Sequence, residues 1–362
     1  MNQIAVPGAL MRGGTSKGLV LNADDLPGDA AARDALLLAA MGSPDVRQID
    51  GVGGAHPLTS KVAVVSRSTR SGVDVEYLFL QVWPDRPEVS DSQNCGNMLA
   101  AVGPFAIETG LVAARDGVTP VRIWMTNTSS LATAHVPTPG GEVTYAGNAS
   151  IDGVPGMHAP ILIEFADLVG SSTGALLPTG RPRDRIAGFD VTCIDNGMPV
   201  VCLRAADLGL GGQETPAQIE ANAEVRAAVE RVRLAAGLLM NLGDVTDQTV
   251  PKMSLLSPPA QSGSISTRTL IPHRVHEAIG VLGAISVATA CLVPDSIAAE
   301  LAPENLTSSG HVELKVEHPT GSFTVGLDLA SAESGNVVER AGLLRTARML
   351  MRGDVLIPRE TQ

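Results

Sequence analysis

Short segments of branched apolar residues bounded by turn formers recur along the whole chain. Residues 60–65, 73–80 and 121–125 form one set, and 161–165, 189–194, 200–203 and 323–327 another. Each reads as a β-strand. Four longer segments, 31–41, 97–112, 216–240 and 277–291, carry apolar residues at helical spacing instead. Two of these, 97–112 and 277–291, are apolar around most of their circumference and rich in small residues, and a helix without a polar face has to be enclosed. The pattern therefore predicts an α+β protein of two β-rich halves, each wrapped around one buried helix. The expected domains are 1–183 and 184–362, with the boundary in the Pro/Gly/Arg-rich segment 178–183. No exact internal repeat accompanies this echo.

Composition narrows the function classes. A chain of 362 residues exceeds the size at which one core stops growing, in keeping with two domains. Aromatic residues make up only 2% and the formal charge is −12. Stacking platforms and a phosphate-tracking basic groove are therefore missing, and nucleic-acid binding is not expected. An acidic protein can still hold a cationic pocket, so an anionic metabolite remains open. The first residues lack a basic region followed by an apolar core, which predicts a cytoplasmic protein without a secretory signal. The apolar stretch 278–293 is interrupted by Gly280, Gly283, Ser286 and Thr289 and reads as a buried helix, not a membrane span. Cys95, Cys193, Cys202 and Cys291 show no CxxC spacing, and reduced thiols are expected.

The sharpest local chemical signal is Asp91-Ser92-Gln93-Asn94-Cys95-Gly96-Asn97-Met98, a polar loop running into the first buried helix. A thiol at a helix start meets unpaired N–H groups and the positive end of the dipole, which favour its anion. Gly96 lets a ligand approach the backbone. The alternative is a small buried hydrophobe, as free cysteines often are. Lys61 opens a strand after a glycine-rich loop. Such a lysine either blocks a sheet edge or, held in a cleft, serves as a general base or acid.

Met11-Arg12-Gly13-Gly14-Thr15-Ser16-Lys17-Gly18 has Ser before Lys, the reverse of the Walker order, so a nucleotide loop is rejected. What remains is either an ordinary turn or a glycine-rich turn whose N–H groups, hydroxyls and cations suit a carboxylate. Residues 266–276, with Arg268, Thr269, His273, Arg274 and His276, lead toward the second buried helix and suggest a second anion-binding helix start. His273 and His276 lack acidic or sulfur partners at ligand spacing, so no metal is expected. Asn196, in the tight turn Asp195-Asn196-Gly197-Met198-Pro199, is a further candidate for the same cleft.

These motifs, together with Met41-Gly42-Ser43-Pro44-Asp45, Leu58-Thr59-Ser60-Lys61-Val62-Ala63, Gly174-Ala175-Leu176-Leu177-Pro178-Thr179-Gly180, Met240-Asn241-Leu242-Gly243-Asp244-Val245, Val250-Pro251-Lys252-Met253 and Ile271-Pro272-His273, resemble the PrpF family of isomerases over nearly the whole chain. The resemblance is strongest to its members that act on 4-oxalomesaconate. It implies a diaminopimelate-epimerase-like fold of two similar domains, each a β-barrel-like sheet around a central helix, with the active site between them. It also implies a cofactor-independent shift of a proton along a small unsaturated tricarboxylate, by a 1,3-allylic shift or keto–enol tautomerisation, in bacterial breakdown of gallate, protocatechuate and lignin-derived aromatics. The methylaconitate or methylitaconate branch of the family and a non-catalytic polycarboxylate-binding protein are the alternatives.

By their surrounding motifs, Lys61 and Cys95 match the family's catalytic pair. Arg12, Thr15, Ser16, Lys17, Asn94, Gly96, Asn97, Asn196, Arg268, Thr269 and His273 are the candidates for gripping substrate. The second catalytic cysteine of the epimerases has no equivalent at the second helix start, where His273, Arg274 and His276 stand, so a symmetrical two-thiol racemisation is not expected. A homodimer is the working expectation for the assembly.

Overall fold

The structure, a computed structural model, describes residues 3–91, 94–166, 168–271, 274–304, 306, 310–332 and 335–358. The chain divides into two compact units, one of Met1–Glu164 with Leu344–Gln362 and the other of Phe165–Leu343. A division at 183/184 would place 165–183 and 344–362 differently. The C-terminal segment joins the first unit because its strand pairs along the full length of the N-terminal one.

The first unit contains β1 (Gln3–Gly13), β2 (Ser16–Asn22), α1 (Ala30–Met41), β3 (Lys61–Arg67), β4 (Val75–Val82), β5 (Val89–Ser90), α2 (Gly96–Glu108), β6 (Gly117–Met125), β7 (Ser130–Thr138) and β8 (Ile161–Phe165). The second contains β9 (Asp184–Ile186), β10 (Phe189–Asp195), β11 (Pro199–Arg204), α3 (Pro216–Ala221), α4 (Ala223–Leu239), β12 (Lys252–Ser257), β13 (Ile265–Ile271), β14 (Arg274–Val275), α5 (Val281–Cys291), α6 (Ile297–Leu301), β15 (Gly310–His318), β16 (Gly321–Ala332) and β17 (Gly335–Arg345). Then β18 (Ala347–Pro358) returns to the first unit, antiparallel to β1.

In the first unit β1 and β2 form a hairpin, β2 runs parallel to β3, β3 and β4 are antiparallel, β4 runs parallel to β6, and β6 and β7 close a second hairpin. Each parallel step needs a crossover. The first carries α1 outside the sheet and the second carries α2 inside it. The second unit repeats this logic: β10 and β11 antiparallel, β11 parallel to β12, β12 and β13 antiparallel, β13 parallel to β15, β15 and β16 antiparallel. There α3 and α4 make the outer crossover and α5 the inner one. The echo visible in two apolar helices is thus a repeat of topology, written without repeated sequence.

Residues Met98 to Ala106 of α2 are all buried, and the helix touches β1, β2, β3, β4, β7 and β18. The sheet wraps it. On the sheet's other face, Leu37, Ala40 and Met41 of α1 pack on Val6, Leu19, Leu21, Val62, Val64, Leu80 and Val82. With both faces covered, β3 reads as a continuous apolar run after Lys61. Asp29 caps α1 by accepting from Ala32 N–H, and Gly42, at φ 77°, ends it in the left-handed conformation that favours glycine. In the second unit, α4 packs Val225, Val229, Val232 and Ala236, continued by its C-cap Met240, as one stripe against Cys193, Val201, Leu203, Met253 and Leu255. The single helix expected over 216–240 is broken at Asn222, whose extended backbone (φ −85°, ψ 98°) lets its side chain cap the next turn at Val225 N–H.

The inner helices are shorter than their apolar patterns. The first starts at Gly96 and is capped at Thr109, and the second starts at Val281, not at 277. Glycine sets how closely α2 meets β7: a Cβ on Gly103 would lie 2.7 Å from Val136 Cγ2 and 3.3 Å from Ala134 Cβ. Gly103→Leu is expected to lower the unfolding free energy by about 1–3 kcal/mol through overpacking, read from urea unfolding. The control Leu238→Ala, at a side 67% exposed, should change it by less than about 0.5 kcal/mol.

Candidate active site

Cys95 is the N-cap residue of α2, with extended backbone (φ −130°, ψ 98°) and no side-chain capping bond. It is half-buried, while Cys193, Cys202 and Cys291 are buried, and all four are free thiols. Burial pushes the Cys193 and Cys291 thiols up to about 12 and Cys202 higher still, so these three are packing residues. Asn94 fixes the approach to the helix: its Oδ1 accepts from Cys95 N–H at 2.8 Å, and its Nδ2 donates to Met125 Sδ and Thr128 Oγ1. That occupies both ends of the amide, so Asn94 shapes the loop. Gly96 is the first helical residue and Asn97 the second.

Lys61 lies in the interior of the sheet, with Gly18 of β2 on one side and Gln81 of β4 on the other. The edge-blocking role is thereby excluded. The side chain is 7% exposed, its Nζ donates to Gln81 Oε1 at 2.8 Å, and it sits 4.9 Å from the centroid of the Phe79 ring. No carboxylate pairs with it among the described residues. Gln81 is held in turn by donating to the carbonyls of Pro57, Ser60 and Val82. Gln48, buried beneath the glycine-rich loop, bonds Ser43, Ser60 and Ala55 and ties that loop to the start of β3. The amide and the ring are neutral partners for an ammonium, worth less than an ion pair but leaving its proton uncommitted to an acid.

The strand β4 addresses both candidates. Tyr77, Phe79 and Gln81 alternate along it, so they share one face, neighbours standing about 7 Å apart. Tyr77 Oη donates to the Cys95 carbonyl at 3.2 Å, while Phe79 and Gln81 hold Lys61. Tyr77 is fully buried, and burial first, then the charge of Cys95, push its phenol well above its ordinary range, so it stays a donor. Asn127 closes the arrangement by bonding both the N–H and the carbonyl of Phe79 and the carbonyl of Asp91, which leads into the Cys95 loop. None of Tyr77, Phe79, Gln81 or Asn127 belongs to the motif set. Their alternate spacing on one strand was the available signal, and with Leu80 and Val82 also buried it reads as core until the partners are known.

The β1–β2 hairpin packs onto the start of α2. A Cβ on Gly13 would collide with the Asn97 carbonyl, and one on Gly14 (φ +53°) with the Asn97 side chain. Glycine is required at both. Asn97 Nδ2 donates to Thr15 Oγ1 at 3.0 Å, and Arg12 Nη1 donates to the Gly14 carbonyl and to the carbonyl and hydroxyl of Thr346, whose carbonyl also receives Gly14 N–H. Arg12, Thr15, Ser16 and Lys17 line one cavity of about 300 Å³ in this unit, together with Thr59, His158 and Arg348. Arg345, 3% exposed, lies close enough to Cys95 for the two to interact electrostatically; burial works against its charge and Cys95 supports it.

The second-unit candidates are differently engaged. Arg268 and Thr269 belong to β13, not to a helix start, because Arg274–Val275 folds back on Leu270 and Ile271 as a short hairpin before α5 begins. Arg268 donates to the carbonyls of Glu214 and Thr267, and Thr269 pairs with the Ser254 hydroxyl. Asn196 is buried against α5, its N–H on Ser286 Oγ and its Nδ2 on Thr289 Oγ1. All three support the fold of their unit. His273 lies outside the described residues. His276 Nδ1 accepts from Ala278 N–H and caps the turn before α5. Among the described residues no three His, Cys, Asp or Glu side chains gather as metal ligands, and no helix is long and apolar enough to cross a membrane.

The family model described as PrpF protein matches residues 3–358. The (4E)-oxalomesaconate Delta-isomerase of Novosphingobium sp. (strain KA1) is 59% identical over 98% of each chain. The 4-oxalomesaconate tautomerase of Pseudomonas putida (strain KT2440) is 55% identical over 100% of this chain and 98% of its own. Among solved structures, a methylitaconate-delta-isomerase superposes with a TM-score of 0.85 at 33% identity, covering 99% of this chain and 97% of the other. The expected fold, α+β units built around a central helix, is the one observed and the one shared with that isomerase.

The amide on Lys61 has a measurable role. Gln81→Leu removes the ammonium's acceptor and the donor that serves three carbonyls, and should lower stability by about 1–3 kcal/mol in denaturant unfolding. A change within about 0.5 kcal/mol would show that Lys61 is solvated some other way.

Proposed function

The chain belongs to the PrpF family and is an isomerase, and we propose that it moves a proton between carbons of 4-oxalomesaconate, using Lys61 and Cys95. The observation that carries this reading is the shared face of β4, where Tyr77 bonds the Cys95 backbone and Phe79 and Gln81 hold Lys61. Two proton-transfer groups addressed from one strand suit a 1,3-allylic shift. One removes the proton beside the activated carbonyl, the electron pair spreads over the conjugated system as a dienolate, and the other returns a proton at the far carbon as the double bond moves. No electron is gained or lost. The N-terminus of α2 beside Cys95, whose N–H groups at Gly96, Asn97 and Met98 have no hydrogen-bond partner among the described residues, is suited to the negative charge that develops. Lys61 Nζ is held by a neutral amide and a ring with no carboxylate beside it among the described residues, which suits a group that acts in proton transfer.

The oxalomesaconate substrate is favoured over methylitaconate by identity, 55–59% against 33%. A keto–enol tautomerisation uses the same first step but returns the proton to oxygen. Lys61→Met and Cys95→Ser are each expected to lower kcat by about 10²–10⁴-fold with unchanged unfolding transitions. Full activity in either variant removes that residue from the chemistry. In D₂O, NMR should find deuterium on the carbon that gains the proton as the double bond moves. Exchange of a substrate proton for deuterium without double-bond migration would mean tautomerisation instead.

A further inference from the structure

The β1–β2 hairpin and β18 carry a row of positive charge that the proton transfer does not use. Arg12 is directly opposite Lys17 on β2 and directly opposite Arg348 on β18. Like charges facing one another across strands destabilise a sheet, and Arg348 does act against the charge of Arg12, after burial. None of the three makes an ion pair among the described residues. In a protein of formal charge −12, three adjacent uncompensated cations are out of keeping with their surroundings.

All three line the same cavity of about 300 Å³. Ser16, which lines it too, is 1% exposed, and its Oγ has no hydrogen-bond partner among the described residues; the same holds for Arg12 Nη2. Polar atoms buried without partners are rare and mark places where a partner is missing. The Arg12 guanidinium is held by Gly14 and Thr346, so its charge is fixed in place before any ligand arrives. Thr15 joins the cavity to the catalytic helix: it lines the space and accepts from Asn97, the second residue of α2.

We propose that this cavity is the subsite for a substrate carboxylate remote from the reacting carbons, and that Arg348 is its specificity-determining residue. The proposal rests on the reading of the protein as a tricarboxylate isomerase. The volume stands at the small end of ligand pockets, which fits one carboxylate-bearing arm. Guanidinium groups take carboxylates through paired N–H donors. Arg12 has its Nη1 engaged within the hairpin and only its Nη2 unpartnered, whereas Arg348 is exposed and makes no hydrogen bond through its side chain among the described residues, so Arg348 is the guanidinium with both N–H donors available to a carboxylate. Binding energy from such an arm holds the reacting carbons against the acid and base.

Calorimetry with propane-1,2,3-tricarboxylate, which has no double bond to move, reads the subsite without turnover. The parent protein and Cys95→Ser should both bind it, Arg348→Met should bind at least about tenfold more weakly, and Arg348→Lys should recover part of the loss. Equal binding by Arg348→Met overturns the proposal. With 4-oxalomesaconate, Arg348→Met should raise KM more than it lowers kcat. Weakened calorimetric binding with KM unaltered would mean that the cavity holds a free anion and not the substrate's arm, which also overturns it. If the parent protein turns over no oxalomesaconate yet loses tricarboxylate binding on Arg348→Met, the reaction reading fails and the carboxylate site stands.

Discussion

An α-helix with no polar side has to be surrounded, and the enclosure of α2 governs the rest of the first unit. A sheet can wrap a helix only if the chain enters the interior and leaves it again, so the strands before and after α2 run parallel, joined through the helix itself. Every side of α2 from Met98 to Ala106 is then taken by packing. Its first turn alone can offer unpaired N–H groups to a ligand. The residue at that opening is Cys95, and the loop before it and the hairpin beside it are held by Asn94, Asn127, Tyr77 and Asn97, each through hydrogen bonds to backbone or to a neighbouring hydroxyl.

The second inner helix obeys the same constraint with a different outcome. Its N-cap is Gly280, it begins four residues later than its apolar pattern, and the cations placed at its start by the pattern lie in a strand and a short hairpin. Ser286 and Thr289, the polar breaks in α5, are satisfied by Asn196 and Met198 and not by a ligand. Two units of one topology thus differ at the point where a site would be. The absence of a cysteine at the second helix start already indicated this asymmetry in the sequence.

Legibility followed range of interaction. Periodicity revealed both inner helices, α1 and the strands β3, β4, β6, β8, β10, β11 and β16, because burial imposes its spacing locally, but it passed over β1, β2 and β18, which flank α2. The hairpin glycines and Cys95 stood out because backbone conformation and helix-end chemistry leave marks on adjacent residues. What did not show was pairing between distant positions. Nothing adjacent to Gln81 says that it faces Lys61 across two strands, and nothing near Arg348 says that it faces Arg12, 336 residues away in the chain. The break at Asn222 was missed for the opposite reason: good helix formers on both sides outweighed one capping residue.

The pairing of β18 with β1 has a consequence in time. The first unit is interrupted by the whole of the second, from Phe165 to Leu343, so during synthesis its N-terminal part, once made, still waits for β18 while about 180 further residues emerge, on the order of 10–40 s at common elongation rates. Phe165–Leu343 can fold as a contiguous piece in that interval. The first unit cannot close around α2, nor can Thr346 anchor the hairpin, until β18 arrives. Arg12, opposite Arg348 in the finished sheet, therefore acquires its neighbour late, and the cationic edge that the two share is among the last parts of the molecule to exist.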